Sequence, residues 1–414
     1  MFSNAEKPFK ANSWGVTAAF AVPLVLFFFL PDIPGISSLM EQMGPLLIDG
    51  VHSAVTEAIL LCGLTVIFTA YARRSRKVLP LSLVIAYALM ITIWGSLIVL
   101  RDSSASLTAI AVQIAVGLTI PLLCRELSKA TLIGWIATGA QALAALVIGV
   151  SGHHSMRSGD ISRLGGTFDD PNMLCILLLP WSIIGIGLFM SAGQKNARVF
   201  HGIVIGICMV DLLLMWHRIS FVCLSLGLAY LLWPSRRTGR TKALFAVIVM
   251  MLTVVMLVRA LPGNSDTTNR SNAGKLYVWK GAVEQMSSRF PLGAGLGNIA
   301  IPEQISRATG VSKVAAEARS TPLTLGVEFG PVGILYFIAL ALSIWYSVRK
   351  KSEPLTLSIV GACIALFSFS LVNTAFFSIT IPLGNVLIGY LVGMISLSQR
   401  PDSHREDAVL RSNG

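Results

Sequence analysis

Charged residues are scarce in this chain of 414 residues, since Asp, Glu, Lys and Arg together make up only 13% of it. A soluble domain carries about 25%. The six cysteines all lie within or beside apolar runs, and none has a metal-binding spacing such as C-x-x-C. These shortages exclude a soluble enzyme, a cysteine-ligated metal module and a disulfide-rich scaffold.

What the chain has instead is long apolar runs, and hydrophobic residues make up 54% of it. A membrane-spanning helix needs about 20 mostly apolar residues, because the hydrocarbon core of a bilayer is about 30 Å thick. The runs therefore predict an all-α polytopic membrane protein with about twelve transmembrane helices. The predicted spans are 14–30, 51–72, 79–100, 105–123, 130–150, 173–192, 200–216, 219–233, 243–261, 323–347, 354–373 and 376–398.

The net charge of +12 is not taken as a sign of nucleic-acid binding, because basic residues of membrane proteins sort by side of the bilayer. With the N-terminus in the cytoplasm, nearly all basic residues of the short loops fall on the cytoplasmic side. This alternation predicts a bacterial inner-membrane protein with both termini inside. The predicted regions are N-terminal helices (1–150), helices with arginine-bearing outer loops (151–261), a periplasmic loop with short helices (262–322), C-terminal helices (323–398) and a cytoplasmic tail (399–414).

The first outer segment combines a cation with turn-forming residues, in the stretch Arg163–Asn172. Pro171 suits the first turn of the following helix, so an ordinary re-entry turn is one interpretation. Arg163 has less reason to stand in a plain turn. The Asp169–Asp170 pair is suited to a divalent cation, but no third carboxylate lies nearby in the sequence, so no metal site is predicted.

His217 and Arg218 form the second outer feature, between two apolar spans. An ionisable residue in this position is by default a functional hypothesis. The alternative is that Arg218 reaches out to the lipid headgroups. Arginine suits phosphate recognition because its planar fork bonds two oxygens at once.

The long outer segment contains two further features. Lys275–Met286 predicts a short helix with Trp279 as an interfacial anchor. The Gly-rich stretch 290–298 after it is no dinucleotide fingerprint, because no βαβ unit surrounds it. A nest of backbone N–H groups for an anion and a flexible turn both remain open.

Arg319 and Glu328 stand where the chain re-enters the membrane. Glu328 lies several residues into an apolar run, so we expect it to face the bundle interior or a wet cavity. Arg163, Arg218, Lys275 and Arg319 thus place positive charge on one membrane face. Several cations there suit an anionic, lipid-borne substrate such as a pyrophosphate.

These segments resemble the O-antigen ligase and O-antigen polymerase (Wzy-type) superfamily. Arg163 to Asn172 is similar to the family's R-x-x-G-x-F-x-x-P-N loop, and Arg218 is similar to a family arginine. Lys275 with Trp279 resembles the R-x-x-x-W part of its large periplasmic loop. The resemblance covers roughly residues 160–335 and follows the family's order of motifs.

Two more matches complete the resemblance. The Gly-rich stretch containing Gly295 and Asn298 is similar to the family's P-x-x-G-x-G-x-N, and Glu328 begins its E-x-G-x-x-G. The resemblance implies a GT-C-like fold and metal-independent, cofactor-free transfer of sugar from an undecaprenyl-diphosphate-linked glycan. It puts Arg163, Arg218 and Lys275 beside the donor pyrophosphate. Structural roles in the loops are implied for Pro171, Asn172, Trp279, Gly295 and Glu328.

Two positions depart from the family pattern. Lys275 replaces an arginine, which keeps the charge but loses the bidentate fork. Arg319 replaces the histidine that is the family's usual general-base candidate, and it stays protonated. It is therefore expected to stabilise the leaving pyrophosphate. A base, where one is needed, would be Glu317, His217 or the Asp169–Asp170 pair.

The missing histidine favours a polymerase of O-antigen, capsule or exopolysaccharide over a lipid A-core ligase. The expected partners are the bilayer, the undecaprenyl-diphosphate-linked glycan and a chain-length regulator. A flippase or secondary transporter is the second hypothesis, although the sequence shows no pair of interrupted spans of the kind transporters use. A non-catalytic membrane scaffold is the third.

Overall fold

The computed structural model describes the chain from residue 104 onwards, with gaps. The described residues are 104–124, 126–151, 155–158, 161–164, 171–215, 217–232, 265–291, 293–294, 299–300, 314–315, 318–348, 353–378 and 381–398. Predicted spans 14–30, 51–72, 79–100 and 243–261 and the tail after 398 lie outside them.

Helices dominate the described residues. They are α1 (Ser104–Cys124), α2 (Leu127–Ser151), α3 (Pro171–Ser191), α4 (Lys195–Leu214), α5 (Arg218–Leu232), α6 (Ser265–Ser288), α7 (Thr321–Phe329), α8 (Pro331–Val348), α9 (Pro354–Ser370) and α10 (Pro382–Ser398). The apolar helices α1 to α5 match the predicted spans to within a few residues at each end. The helix predicted at Lys275–Met286 is present, but α6 begins ten residues earlier.

Three described helices are long and apolar enough to cross a membrane. They are Leu127–Val150 of α2, α3 and α4, with mean hydropathies of 1.8, 2.3 and 1.9. Within these helices 78% of α3 is buried inside the protein, against 33% and 28% for α2 and α4. The central helix of this group is therefore α3, and its neighbours leave apolar faces for lipid. The protein is a helical membrane protein.

A second packed layer is formed by α9, which lies against α3 and α5, and by α10, which lies against α1. The α1–α10 contact is close because glycines face backbone. A Cβ at Gly117 would lie 1.9 Å from the Val386 carbonyl oxygen, and one at Gly389 would lie 2.2 Å from that of Ile114. Small residues allow such approaches between membrane helices. The core between the layers includes Trp135, Trp181 and Phe369.

Two pairs of short strands accompany the helices. In the outer segment of about 151–172, β1 (Ser155–Ser158) pairs antiparallel with β2 (Ile161–Leu164). A second pair joins β3 (Ile299–Ala300) and β4 (Val314–Ala315). Four-residue and two-residue strands are too short to give a readable alternation of polar and apolar residues. Both pairs belong to segments predicted to lie outside the membrane.

The predicted span 323–347 is wrong as one helix, because the structure breaks it into α7 and α8. Gly330 has φ +66° and ψ −155°, a conformation open essentially to glycine alone. Pro331 follows and begins α8 at a position where no backbone N–H is needed.

The predicted spans 354–373 and 376–398 are also shorter in the structure. Helix α9 ends at Ser370 and α10 begins at Pro382. Residues 371–378 between them are not helical, although Asn373–Ser378 are all buried. The predicted span 376–398 therefore begins six residues too early, and the loop between the two helices is longer than predicted and mostly buried.

Candidate functional site

Residues 371–378, hereafter the junction segment, carry non-helical backbone into the buried part of the bundle. Such backbone is tolerated at membrane depth only where its polar groups are satisfied within the protein or by water. The first turn is closed by the last turn of α9, since the N–H groups of Val372 and Asn373 donate to the Phe369 carbonyl at 3.1 and 3.0 Å. The segment thus begins as a continuation of α9.

Asn385, on α10, holds the other end of the junction segment. Its Oδ1 accepts from the Phe377 N–H, and its Nδ2 donates to the Ser378 carbonyl and to Gln113 Oε1, both at 2.8 Å. Phe377 has φ +58°, an unusual value for a bulky residue. All hydrogen-bonding atoms of this buried amide therefore have partners, and they hold a strained backbone in place.

Lys275 connects helix α6 to the same segment. Its Nζ donates to Asn373 Oδ1 at 2.8 Å and to the Val372 carbonyl at 3.4 Å. The two residues are almost one hundred positions apart in the sequence, so this is a tertiary contact. Trp279 lies one helical turn further along α6, on the same face. A predicted substrate-binding cation is thus placed at the junction segment.

The start of α7 packs against the junction segment from another side. Thr321 Oγ1 accepts from the Ala375 N–H at 3.0 Å, and Thr324 Oγ1 accepts from the Ala318 N–H at 3.0 Å. Arg319 lies between buried Ala318 and buried Ser320, yet it is exposed and has φ +53°. The backbone turn therefore presents the guanidinium at the surface beside the entry to α7.

His217 lies at the same end of α9. Its ring centroid is 5.3 Å from that of Phe369. The Phe369 carbonyl accepts the hydrogen bonds from Val372 and Asn373 at the start of the junction segment. His217 Nδ1 accepts from the Ser220 N–H at 3.3 Å in the first turn of α5. The imidazole thus has a helix-capping role in the structure, and its role as a base stays a prediction.

The Gly-rich stretch docks on the break between α7 and α8. The Ala294 N–H donates to the Val327 carbonyl at 2.6 Å. A Cβ at Gly293 would lie 2.5 Å from the Glu328 carbonyl oxygen, and one at Gly330 would lie 2.1 Å from that of Pro291. Glu328 itself is 1% exposed, so it faces the protein interior as expected. Backbone packing explains Gly293, the glycine of the stretch that the structure describes.

The remaining predicted site residues are placed only in part. Arg163 lies in β2 opposite Met156, and β2 packs against α2 and α4. Pro171 and Asn172 form the first turn of α3, and Arg218 is the first residue of α5. The side chains of Arg163 and Arg218, and all of Glu317 and Gly295, lie outside what the structure describes.

Asn373 and Thr374 are site residues that sequence reasoning missed, because both fell within or between predicted spans. A signal existed, since Pro382 lies inside the run read as one helix and proline favours a helix start.

No protein-family model matches the chain, and no curated protein matches it. Fold and site together define a helical membrane protein in which the polar helix α6 docks a lysine on a buried, non-helical segment.

Proposed function

We propose that the chain is a glycosyltransferase that polymerises O-antigen, capsule or exopolysaccharide repeat units. It takes glycan from an undecaprenyl-diphosphate-linked donor at the periplasmic face and adds it to a second lipid-linked unit, without a metal. The proposal includes about twelve spans, a GT-C-like fold and an inner-membrane location with cytoplasmic termini. A ligase that uses lipid A-core as acceptor is the closest variant.

The observation that carries the proposal is the docking of Lys275 on the junction segment. An ammonium group reaches two oxygens there, and Arg319 lies at the adjoining entry to α7. Cations held at the boundary of an apolar bundle suit a diphosphate attached to a lipid tail. The motif order from Arg163 to Glu328, which resembles the O-antigen polymerase superfamily, supports the same substrate.

The test uses purified protein in proteoliposomes with the lipid-linked repeat unit of the source strain, and a gel that resolves glycan length. We expect Lys275→Ala to reduce elongation about 100-fold, because it removes a charged contact to the phosphate. Arg218→Ala should abolish polymer while the protein stays in the membrane. Lys280→Ala is the matched control. This cation on α6 is 71% exposed, and its ion pair with Glu284, at 3.9 Å, is long and solvent-exposed.

A secondary transporter or flippase is the second candidate, and one observation favours it. Transporters use discontinuous helices to build sites, and the chain is interrupted at Gly330 and again at the junction segment. The two functions differ in the same proteoliposomes. Movement of the lipid-linked unit across the bilayer without elongation would overturn the polymerase and leave the transporter.

A further inference from the structure

Two buried hydrogen-bond donors in the junction segment have no partner among the residues that the structure describes. Asn373 is 6% exposed and Thr374 is 3% exposed. Asn373 Nδ2 and Thr374 Oγ1 are both inaccessible to solvent, and neither makes a hydrogen bond within the described part of the chain. Buried polar groups in native proteins are satisfied in the great majority of cases, so neighbouring exceptions call for a physical reason.

The orientation of the Asn373 amide is fixed by chemistry. Lysine donates hydrogen bonds and accepts none, so the atom facing Lys275 Nζ at 2.8 Å must be Oδ1. An amide flip would set two donors against each other. The NH₂ group of Asn373 therefore points away from the lysine and lacks a partner.

Asn385 provides the internal comparison. It holds the other end of the same segment and has a partner for each of its two amide heavy atoms. An asparagine that stabilises this backbone thus forms hydrogen bonds through both its amide oxygen and its amide nitrogen. Asn373 differs, because among the described residues only its amide oxygen has a hydrogen-bond partner.

The atoms that lack partners here are of one kind. The Asn373 NH₂ can only donate, and the Thr374 hydroxyl has a proton to give. On α6, Trp279 Nε1 is a further buried donor with no partner, on the same face as Lys275. Donors beside an ammonium group match a ligand that is anionic and rich in acceptors, which describes a phosphate oxygen better than a cation or an apolar group.

We propose that Asn373 and Thr374 donate hydrogen bonds to a phosphate oxygen of the lipid-linked diphosphate, with Lys275 supplying the charge. This subsite rests on the proposed function and deepens it. The ligand enters by displacing Lys275 from the Val372 carbonyl, which the lysine contacts at 3.4 Å against 2.8 Å for Asn373 Oδ1. Lys275 then remains bound to Asn373 Oδ1, and the amide is held between lysine and phosphate.

Two variants remove the donors with little change in shape. Thr374→Val deletes a hydroxyl that has no partner, so it should leave thermal stability unchanged or raised. Asn373→Asp keeps the acceptor for Lys275 but replaces the NH₂ group with a second oxygen that repels phosphate. The probes are undecaprenyl diphosphate and, as an uncharged control, undecaprenol, added to full-length protein in nanodiscs.

We expect each variant to weaken binding of undecaprenyl diphosphate about tenfold or more, because a hydrogen bond to a charged group is lost. Binding of undecaprenol should not change. Thr138→Val is the matched control, since this buried hydroxyl on α2 already donates to the Gly134 carbonyl at 2.8 Å. It should affect stability slightly and leave the affinity for diphosphate unaltered.

Wild-type affinity for undecaprenyl diphosphate in both variants would overturn the subsite. A marked loss of stability in Thr374→Val would also overturn it, because the hydroxyl would then be holding an internal water instead of awaiting a ligand. Normal elongation with unchanged affinity refutes the subsite and leaves the polymerase. Weaker diphosphate binding in both variants without any elongation by wild-type protein supports the subsite and refutes the polymerase.

Discussion

Replacing Gly330 by alanine should undock the Gly-rich stretch from the break between α7 and α8. Gly330 combines φ +66° with ψ −155°, and forcing a residue with a side chain into this region costs about 1–3 kcal/mol. The new Cβ would lie 2.1 Å from the Pro291 carbonyl oxygen. A normal carbon–oxygen contact is about 3.3 Å or more. Either the segment around Gly330 or the segment around Pro291 must therefore move by more than 1 Å.

The steric cost comes on top of the dihedral cost. Overpacking of this kind adds about 1–3 kcal/mol. Losing the hydrogen bond from Ala294 to Val327 adds about 1 kcal/mol. We therefore expect Gly330→Ala to destabilise this part of the protein by about 3–7 kcal/mol.

Two measurements check this expectation. The Tm of the detergent-solubilised protein should fall by at least several degrees. Trypsin cleavage after Arg289, an exposed residue next to the docked stretch, should become faster because the stretch opens more often. Gly193→Ala is the control, since a Cβ there has nothing within 4 Å. Unchanged Tm and cleavage rate in Gly330→Ala would refute the packing we describe.

Two further substitutions test the buried polar groups of the bundle. Asn385→Leu removes the partners of Phe377 and Ser378 in a buried backbone, so we expect a loss of about 3–5 kcal/mol in thermal unfolding; a Tm equal to that of the wild type would contradict this. Asp211 on α4 is fully buried, and neither of its carboxyl oxygens has a hydrogen bond to any described residue. We therefore expect Asp211→Asn to raise stability by about 1–2 kcal/mol or leave it unchanged. A clear fall in Tm would show that the carboxyl group is needed within the fold.

Hydropathy predicted the positions of α1 to α5 because each is an apolar run bounded by polar or turn-forming residues. The same criterion failed where apolar residues continue through a non-helical stretch. Phe376 and Phe377 are as apolar as any helical residue, yet both lie in the junction segment. Hydropathy measures the tendency to leave water, and buried irregular backbone satisfies it as well as a helix does.

The candidate site was predictable in one part and not in another. The sequence predicted Lys275 and Arg319 as site residues, because an ionisable residue beside an apolar run indicates a functional role. Asn373 and Thr374 carry no charge and interrupt an apolar stretch only briefly. Their importance depends on which of their atoms lack partners, and a sequence does not show hydrogen bonds between residues almost one hundred positions apart.

Helix α7 connects the two interruptions of the bundle. Its first residue, Thr321, bonds the junction segment, and Gly330 at its end receives the Gly-rich stretch. A nine-residue helix is about 13 Å long, so the two breaks are separated by little more than its length. Helix α6 and the Gly-rich stretch after it contact the two breaks, through Lys275 at one and Ala294 at the other. Helix α7 is therefore held at both ends, by the junction segment at its start and by the Gly-rich stretch near its end.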